Sequence, residues 1–186
     1  MRSKRLKDGS MSETNAEIRR AFLERAHLDE PDLRDVVNAI RAIPHGRPRK
    51  RSASGVVEDW RGTCSTKLLL LRAVFPDLPI RFYNRVFRLS REAARERLGP
   101  QVASVVPAEG MIDVHTFARV RVGTEWVRID LAFPGELWDG SSDMSDPWGE
   151  GEDFDAGADP IAHKEALVER FGDRALRARF IEAISA

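Results

Sequence analysis

The sequence has almost no cysteine: Cys64 is the only one among 186 residues. A single thiol excludes an intrachain disulfide and a zinc site built from several cysteines. One free thiol also fits the reducing cytosol, so we expect a cytoplasmic protein. Long apolar runs are lacking as well. The leucine run at 68–71 is far shorter than the roughly 20 residues that span a bilayer, and no apolar segment follows the basic N-terminus as in a secretory signal, so no membrane partner is expected.

Net charge is absent too, because 30 basic residues balance 30 acidic ones. This balance disfavours a protein that binds nucleic acid through a broadly basic surface, so no nucleic-acid partner is expected. The charges are segregated, however: basic residues cluster at 47–51, whereas residues 135–159 include nine acids and no lysine or arginine. We expect 135–159 to form an acidic loop or lid that disfavours anionic substrates and folds back on residues 47–51.

The length fits a single domain with its own apolar core. Met11 offers a second start of the chain, and Thr14 with Glu17 has the pattern of a capping box at the start of a helix. We therefore expect residues 1–13 to be a mobile N-terminal extension and residues 14–186 to form one domain.

Apolar residues at helical spacing predict helices near both ends of the chain. Two helices are predicted between Thr14 and Pro44, and a terminal helical region is predicted to begin at Asp159-Pro160. Between them, a helix is predicted to begin near Cys64, with Thr63 as its N-cap. The apolar face of this helix is formed by Cys64, Leu68, Leu71 and Phe75.

The clearest local pattern is that of a β-hairpin at 113–133. A glycine–threonine pair suits a two-residue turn, which pairs Val122 with Glu125. This register separates apolar residues from polar ones, whereas a slip by one residue would mix the two faces. The register also puts His115 and Asp130 on the same face as diagonal neighbours, within reach of an imidazole–carboxylate hydrogen bond.

Cys64, His115 and Asp130 are the residue types of a catalytic triad. At a helix N-terminus, the positive end of the helix dipole favours the thiolate form of Cys64. A helix that lies over the His115 face of the hairpin would bring the thiol to the imidazole. Nucleophilic catalysis uses this arrangement, in which a base activates the nucleophile and an acid orients the base.

Each of these residues also has a structural interpretation. A lone cysteine is usually a small buried apolar residue, and Asp130 could pair with Arg119 or Arg128 on the same face. Cys64, His115 and Asp130 could also ligate zinc, but the sequence offers no clear fourth ligand, so no metal is expected. We interpret the remaining histidines as surface residues: His27, His45 and His163.

Three stretches of the chain carry a family resemblance: residues 61–68 (RGTCSTKL), 112–118 (IDVHTFA) and 126–130 (WVRID). In this order they resemble the nucleophile helix, the histidine strand and the aspartate strand of the transglutaminase-like cysteine-enzyme superfamily. The resemblance covers residues 60–135. It implies an α+β fold with a papain-like core, in which the nucleophile helix packs on an antiparallel sheet and extra helices lie at the N- and C-terminal ends.

The resemblance also implies acyl transfer from an amide. Cys64 would be the nucleophile, His115 the base that later protonates the leaving group, and Asp130 the group that orients the imidazole. The substrate would be a peptide or another amide, proteins included, and no cofactor is expected. The acyl group would pass to water, as in a peptidase or deamidase, or to an amine, as in a transglutaminase. We expect the oxyanion to meet the backbone N–H of Cys64, and Trp60 and Phe117 to line the oxyanion and substrate pocket.

Two alternatives remain open from the sequence. One is a catalytically silent transglutaminase-like domain that binds a partner through its segregated charges. The other is an acetyl-CoA-dependent N-acyltransferase, because arylamine N-acetyltransferases use a similar triad. The chain lacks the length and the arginine-rich cysteine motif of those enzymes, so this alternative ranks lower.

Overall fold

The computed structural model of the protein describes residues 8–146 and 148–185. In these ranges the chain forms eight helices and four strands, so the expected α+β class is confirmed. The helices are α1 (Asp8–Ala26), α2 (Leu33–Ala42), α3 (Ala53–Asp59), α4 (Cys64–Val74), α5 (Arg91–Leu98), α6 (Pro100–Val105), α7 (Pro160–Phe171) and α8 (Arg174–Ser185). The strands are β1 (Ile80–Leu89), β2 (Met111–Val122), β3 (Glu125–Ile129) and β4 (Gly151–Asp155).

The first helix begins earlier than the capping pattern at Thr14 suggests. Because α1 starts at Asp8, residues 8–13 of the expected extension belong to a helix, and residues 1–7 lie outside the described residues. None of the helices in the described ranges is long and apolar enough to cross a bilayer.

The four strands form one antiparallel sheet in the order β3-β2-β1-β4. The predicted hairpin register is confirmed, because Val122 pairs with Glu125 and Ala118 pairs with Ile129. The pairing of β3 with β2 ends at Ala118, although β2 continues back to Met111. The edge of β2 that precedes Ala118 therefore has no β3 partner, and the candidate site lies at this edge.

Helix α4 begins at Cys64, as predicted, because Thr63 caps it. The hydroxyl of Thr66 accepts a hydrogen bond from the backbone N–H of Thr63 at 2.9 Å, and the side chain of Thr63 accepts from the N–H of Thr66 in return. This reciprocal capping satisfies backbone donors that the first helical turn leaves without partners.

The packing of α4 differs from the expectation in one respect. Its apolar residues join the core beneath Ala118 and Val120 of β2, together with residues of β3. Because successive strand residues point to opposite faces, His115 points away from that face. Cys64 therefore meets His115 from the open edge of β2, rather than from a helix that lies over the His115 face.

The acidic segment 135–159 is more ordered than an acidic loop, which corrects that expectation. It contains β4, which pairs with β1. Arg85 of β1 forms ion pairs with Asp146 and with Asp153, the latter at 2.6 Å, and Arg128 of β3 pairs with Asp146 at 3.2 Å. Asp146 and Asp153 therefore neutralise arginines of the sheet. Among the described residues, no acid of 135–159 forms an ion pair with residues 47–51.

Lys67 on α4 is fully buried and joins three parts of the chain. Its ammonium group donates hydrogen bonds to the backbone carbonyls of Arg41, Ile43 and Ala132. The stem of Lys67 passes close to Gly62, where a β-carbon would lie 2.7 Å from Lys67 Cγ. Gly62 is therefore needed for this packing, because real β-carbons do not approach so closely.

Replacing a leucine in the core beneath the sheet should destabilise the protein strongly. Leu71 on α4 is completely buried, so Leu71→Ala should lower the free energy of unfolding by about 2–5 kcal/mol through lost burial and a residual cavity. Leu137→Ala is the matched control, because Leu137 is 83% exposed and should change stability by less than about 0.5 kcal/mol. Denaturant unfolding measures both, and equal midpoints for the two variants would contradict this packing.

Candidate active site

The thiol of Cys64 is held at the first residue of α4. The side chain is only 5% exposed, and it lies where backbone N–H groups of the first helical turn concentrate positive charge. The neighbouring Ser65 hydroxyl bonds the hydroxyl of Thr116 at 2.7 Å, which attaches the start of α4 to β2. The position of the thiol is thus fixed by both the helix cap and the sheet.

The predicted pair of His115 and Asp130 forms a direct hydrogen bond. Nε2 of His115 lies 2.6 Å from Oδ2 of Asp130, and both side chains are buried. The other carboxylate oxygen, Oδ1, accepts a hydrogen bond from the backbone N–H of Ala132 at 3.1 Å. Asp130 is therefore fixed on both oxygens, and its bond to Nε2 directs the opposite ring nitrogen of His115 away from the carboxylate.

A fourth charged side chain, Lys164 of α7, meets the thiol. Its ammonium group donates a hydrogen bond to Sγ of Cys64 at 3.1 Å, and the residue is only 5% exposed. The sequence interpretation missed Lys164. The only feature of the sequence that could have indicated Lys164 is its position among apolar residues of the helix that begins at Pro160. A lysine in such a position usually keeps its ammonium group in solvent, so the feature is a weak one.

These contacts set the protonation states of the site. Burial alone would raise the pKa of the Cys64 thiol, but the ammonium of Lys164 and the imidazole of His115 outweigh burial and hold this pKa well below its ordinary value. Burial alone would lower the pKa of His115, but the carboxylate of Asp130 and the thiolate of Cys64 raise it to about 9. At neutral pH the site therefore holds a thiolate beside an imidazolium.

The pKa of the Asp130 carboxyl is also displaced from its ordinary value. Burial alone would raise this pKa, but the imidazole of His115 and the N–H of Ala132 more than compensate and lower it. Asp130 is therefore ionised, as a group that orients an imidazolium must be.

His45 also belongs to the site, which corrects its interpretation as a surface residue. It follows α2 and forms an isolated parallel β-bridge with Gly62, two positions before Cys64. Its ring stacks on Phe133 with centroids 4.6 Å apart. Burial is the main cause that lowers the pKa of His45 to about 4, so the ring is neutral at neutral pH. Nδ1 of His45 is buried and has no hydrogen-bond partner among the described residues.

The other histidines outside the triad lie elsewhere. His27 is exposed, as expected, whereas His163 lies 3.0 Å from the amide nitrogen of Asn84 through its Nδ1 and is half-buried.

Trp60 and Phe117 do not line the cavity at Cys64. Trp60 ends α3 with a left-handed backbone, φ 50°, and its ring stacks on Phe22 at a centroid distance of 6.2 Å. Phe117 is buried between Tyr83 and Arg128, whose guanidinium carbon lies 3.8 Å from the ring centroid. Both aromatic residues stabilise the fold around the site, so the expectation that they form the oxyanion and substrate pocket is not met.

A narrow cavity of about 60 Å³ gives access to the thiol. Its walls include Cys64, His45, His115, Phe133, Trp148 and Lys164. The indole of Trp148 comes from the acidic segment and lies 5.7 Å from the His115 ring, measured between centroids. A small molecule in this cavity would therefore meet the thiol, the imidazole of His115 and the ammonium of Lys164 together.

Comparison with known protein families, curated proteins and solved structures finds no match to this chain. Within the described residues, no group of three or more His, Cys, Asp and Glu side chains is arranged to hold a metal ion. The site is therefore interpreted from the chemistry of its own residues.

Removing the ammonium of Lys164 should raise the pKa of Cys64. In Lys164→Met the thiolate loses the cation that lowers its pKa most while burial persists, so the pH dependence of alkylation by iodoacetamide should move upward by about one to two pH units. Lys50→Met is the matched control, because Lys50 is exposed and pairs with Glu58. An unchanged alkylation profile in Lys164→Met would contradict the proposed electrostatics.

Proposed function

We propose that the protein is a thiol enzyme of the transglutaminase-like type, with a papain-like core, that transfers the acyl group of an amide through Cys64. The observation that supports this proposal is the cluster of a thiolate with two cations, His115 and Lys164, in which His115 is oriented by Asp130. A structural buried cysteine needs neither an oriented imidazole nor a buried ammonium. This cluster is what a nucleophile with a lowered pKa requires.

The first half of the reaction forms a thioester. The thiolate of Cys64 attacks the carbonyl carbon of the amide, and the electron pair of the carbonyl moves to its oxygen. When the tetrahedral intermediate collapses, the C–N bond breaks and the imidazolium of His115 gives its proton to the leaving nitrogen. The products of this half are a neutral amine, an S-acyl Cys64 and a neutral His115.

The second half transfers the acyl group to water or to an amine. The neutral His115 takes a proton from the acceptor as the acceptor attacks the thioester carbonyl. Collapse of this second intermediate breaks the C–S bond and restores the thiolate beside the imidazolium. Water gives hydrolysis, as in a peptidase or deamidase, and an amine gives the transglutaminase outcome.

The oxyanion of each intermediate has two candidate donors. The backbone N–H of Cys64 opens α4 and is one of the N–H groups that the helix itself does not satisfy. His45 is the second candidate, because its neutral ring lines the cavity. A neutral imidazole carries one N–H, so His45 is able to donate without competing with His115 for a proton.

An amide with a chromogenic leaving group tests the role of His115. With p-nitroacetanilide, wild-type protein should gain one acetyl group on Cys64 and release p-nitroaniline, and His115→Asn should slow this acylation about 100-fold or more because the leaving nitrogen is no longer protonated. The rate should fall as pH rises through about 9, since His115 then loses the proton that it gives to the leaving nitrogen. Mass spectrometry and p-nitroaniline release measure both effects.

The exposed histidine provides the matched control for that experiment. His27→Asn should acylate like the wild type, because His27 is exposed and its left-handed backbone, φ 54°, suits asparagine. Equal acylation rates in His115→Asn and in the wild type would contradict the proposed triad and favour a catalytically silent interaction domain. Acetyl loading of Cys64 from acetyl-CoA at the rate of loading from p-nitrophenyl acetate would instead favour the N-acyltransferase alternative.

The role of His45 is tested by a pair of reactions that differ in their transition states. His45→Phe should slow acylation by p-nitrophenyl acetate about 100-fold, since one oxyanion donor is lost. Alkylation by iodoacetamide should change little, because attack at a saturated carbon creates no oxyanion. His45→Gln retains an N–H donor and should recover part of the acylation rate. Parallel losses in both reactions of His45→Phe would assign His45 to structure instead.

A further inference from the structure

A second, wider cavity adjoins the cavity at Cys64. It has a volume of about 210 Å³ and is formed mainly by α7, by α8 and by the loop after α2. The two cavities share wall residues Arg47, Glu165, Arg177 and Ile181, so they are neighbours. We call the wider one the outer cavity and the cavity at Cys64 the inner cavity.

The outer cavity has more positive than negative charge. Three arginines, Arg47, Arg174 and Arg177, line it, whereas Glu165 is the only acid among its described wall residues. Arg177 already pairs with Asp113 at 2.8 Å, and Glu165 pairs with Arg51 at 2.8 Å. By contrast, neither Arg47 nor Arg174 has a carboxylate within 4.0 Å among the residues 8–146 and 148–185, and both are exposed.

The acidic segment does not neutralise this charge. Its residues Asp146 and Asp153 pair with arginines of the sheet, and none of the described residues in 135–159 lines the outer cavity. The expectation that an acidic lid disfavours anionic substrates is therefore not met at this entrance.

We infer that the outer cavity binds a carboxylate of the substrate through Arg47 and Arg174. The enzyme therefore acts on acyl donors that carry a carboxylate a few bonds from the scissile carbonyl. This inference rests on the proposed function, because it takes Cys64 as the reacting group. A guanidinium presents its donors in a planar fork that matches the two oxygens of a carboxylate.

The remaining walls of the outer cavity suit the chain that joins the carboxylate to the carbonyl. Val168, Ala178 and Ile181 contribute apolar surface to the outer cavity. Methylene groups pack favourably on such surface, while the charged end of the substrate stays within reach of the arginines at the rim.

Two alkylating probes of equal shape test this assignment. N-iodoacetyl-4-aminobutyrate and its carboxamide differ only in a terminal carboxylate or amide, and in both the Cys64 thiolate displaces iodide to form a thioether. For each probe, the rate of reaction with Cys64 is divided by its rate of reaction with glutathione. The ratio of this normalised rate for the carboxylate to that for the carboxamide should be about ten. Arg174→Gln should lower this ratio at least threefold, and added salt should lower it as well.

The matched control is another arginine of α8. Arg179 is exposed and lines neither cavity, so Arg179→Gln removes the same charge from the same helix and should leave the ratio unchanged. Equal rates for the two probes in the wild type, or an equal effect of Arg174→Gln and Arg179→Gln, would overturn the inference. Neither result affects the proposed function, which depends on His115 and on acylation.

A binding titration, which needs no reaction at Cys64, tests carboxylate binding separately from the proposed function. If Cys64 reacts with neither probe, the proposed function fails, and binding of N-acetyl-4-aminobutyrate to the wild-type protein then decides the inference. In an NMR titration this compound should shift the side-chain resonances of Arg47 and Arg174, whereas its carboxamide should not. Identical shifts with both compounds, or none, would reject carboxylate binding at the outer cavity.

Discussion

The buried ammonium of Lys67 is the interaction on which the geometry of the candidate site depends. It donates to the carbonyls of Arg41, Ile43 and Ala132. Lys67 lies on α4, one turn after Cys64, so these bonds fix α4 to two other segments. Ala132 in turn donates its N–H to Asp130, and Ile43 lies two positions before His45. One side chain therefore positions the thiol, the acid that orients the imidazole and the candidate oxyanion donor relative to each other.

This arrangement concentrates positive charge where a thiolate forms. Burial is the main cause that lowers the pKa of Lys67, to about 8, while the negative charges of Cys64 and Asp130 oppose that effect. Lys67 and Lys164, together with the imidazolium of His115, surround a site whose negative charges are the thiolate and the carboxylate. His45 remains neutral because a further buried cation beside these groups would be costly. The electrostatics thus favour the ionised thiol and leave a neutral donor at the cavity wall.

The sequence predicted those parts of the fold that follow from local patterns. The hairpin register follows from the alternation of apolar and polar residues, and the start of α4 follows from Thr63. Lys164 lies a hundred positions from Cys64, and no local pattern indicates that these two side chains meet. β4 has no alternation of apolar and polar residues that would predict a strand. Its pairing with β1 is supported instead by ion pairs of Arg85, which a local pattern does not show. Trp60 is close to Cys64 in sequence only, since the left-handed end of α3 turns its ring onto Phe22.

The segregation of charge in the sequence has a different meaning in the folded chain. The acidic segment compensates the arginines of one sheet face, where Arg85 and Arg128 would otherwise lie buried without carboxylates. Such compensation is local, because a buried guanidinium needs a partner within a few ångströms. Asp146 and Asp153, which pair with these arginines, do not pair with Arg47 or Arg174 at the outer cavity. A chain with zero net charge therefore has a positive entrance beside a thiolate, and an anionic substrate supplies the missing partner there.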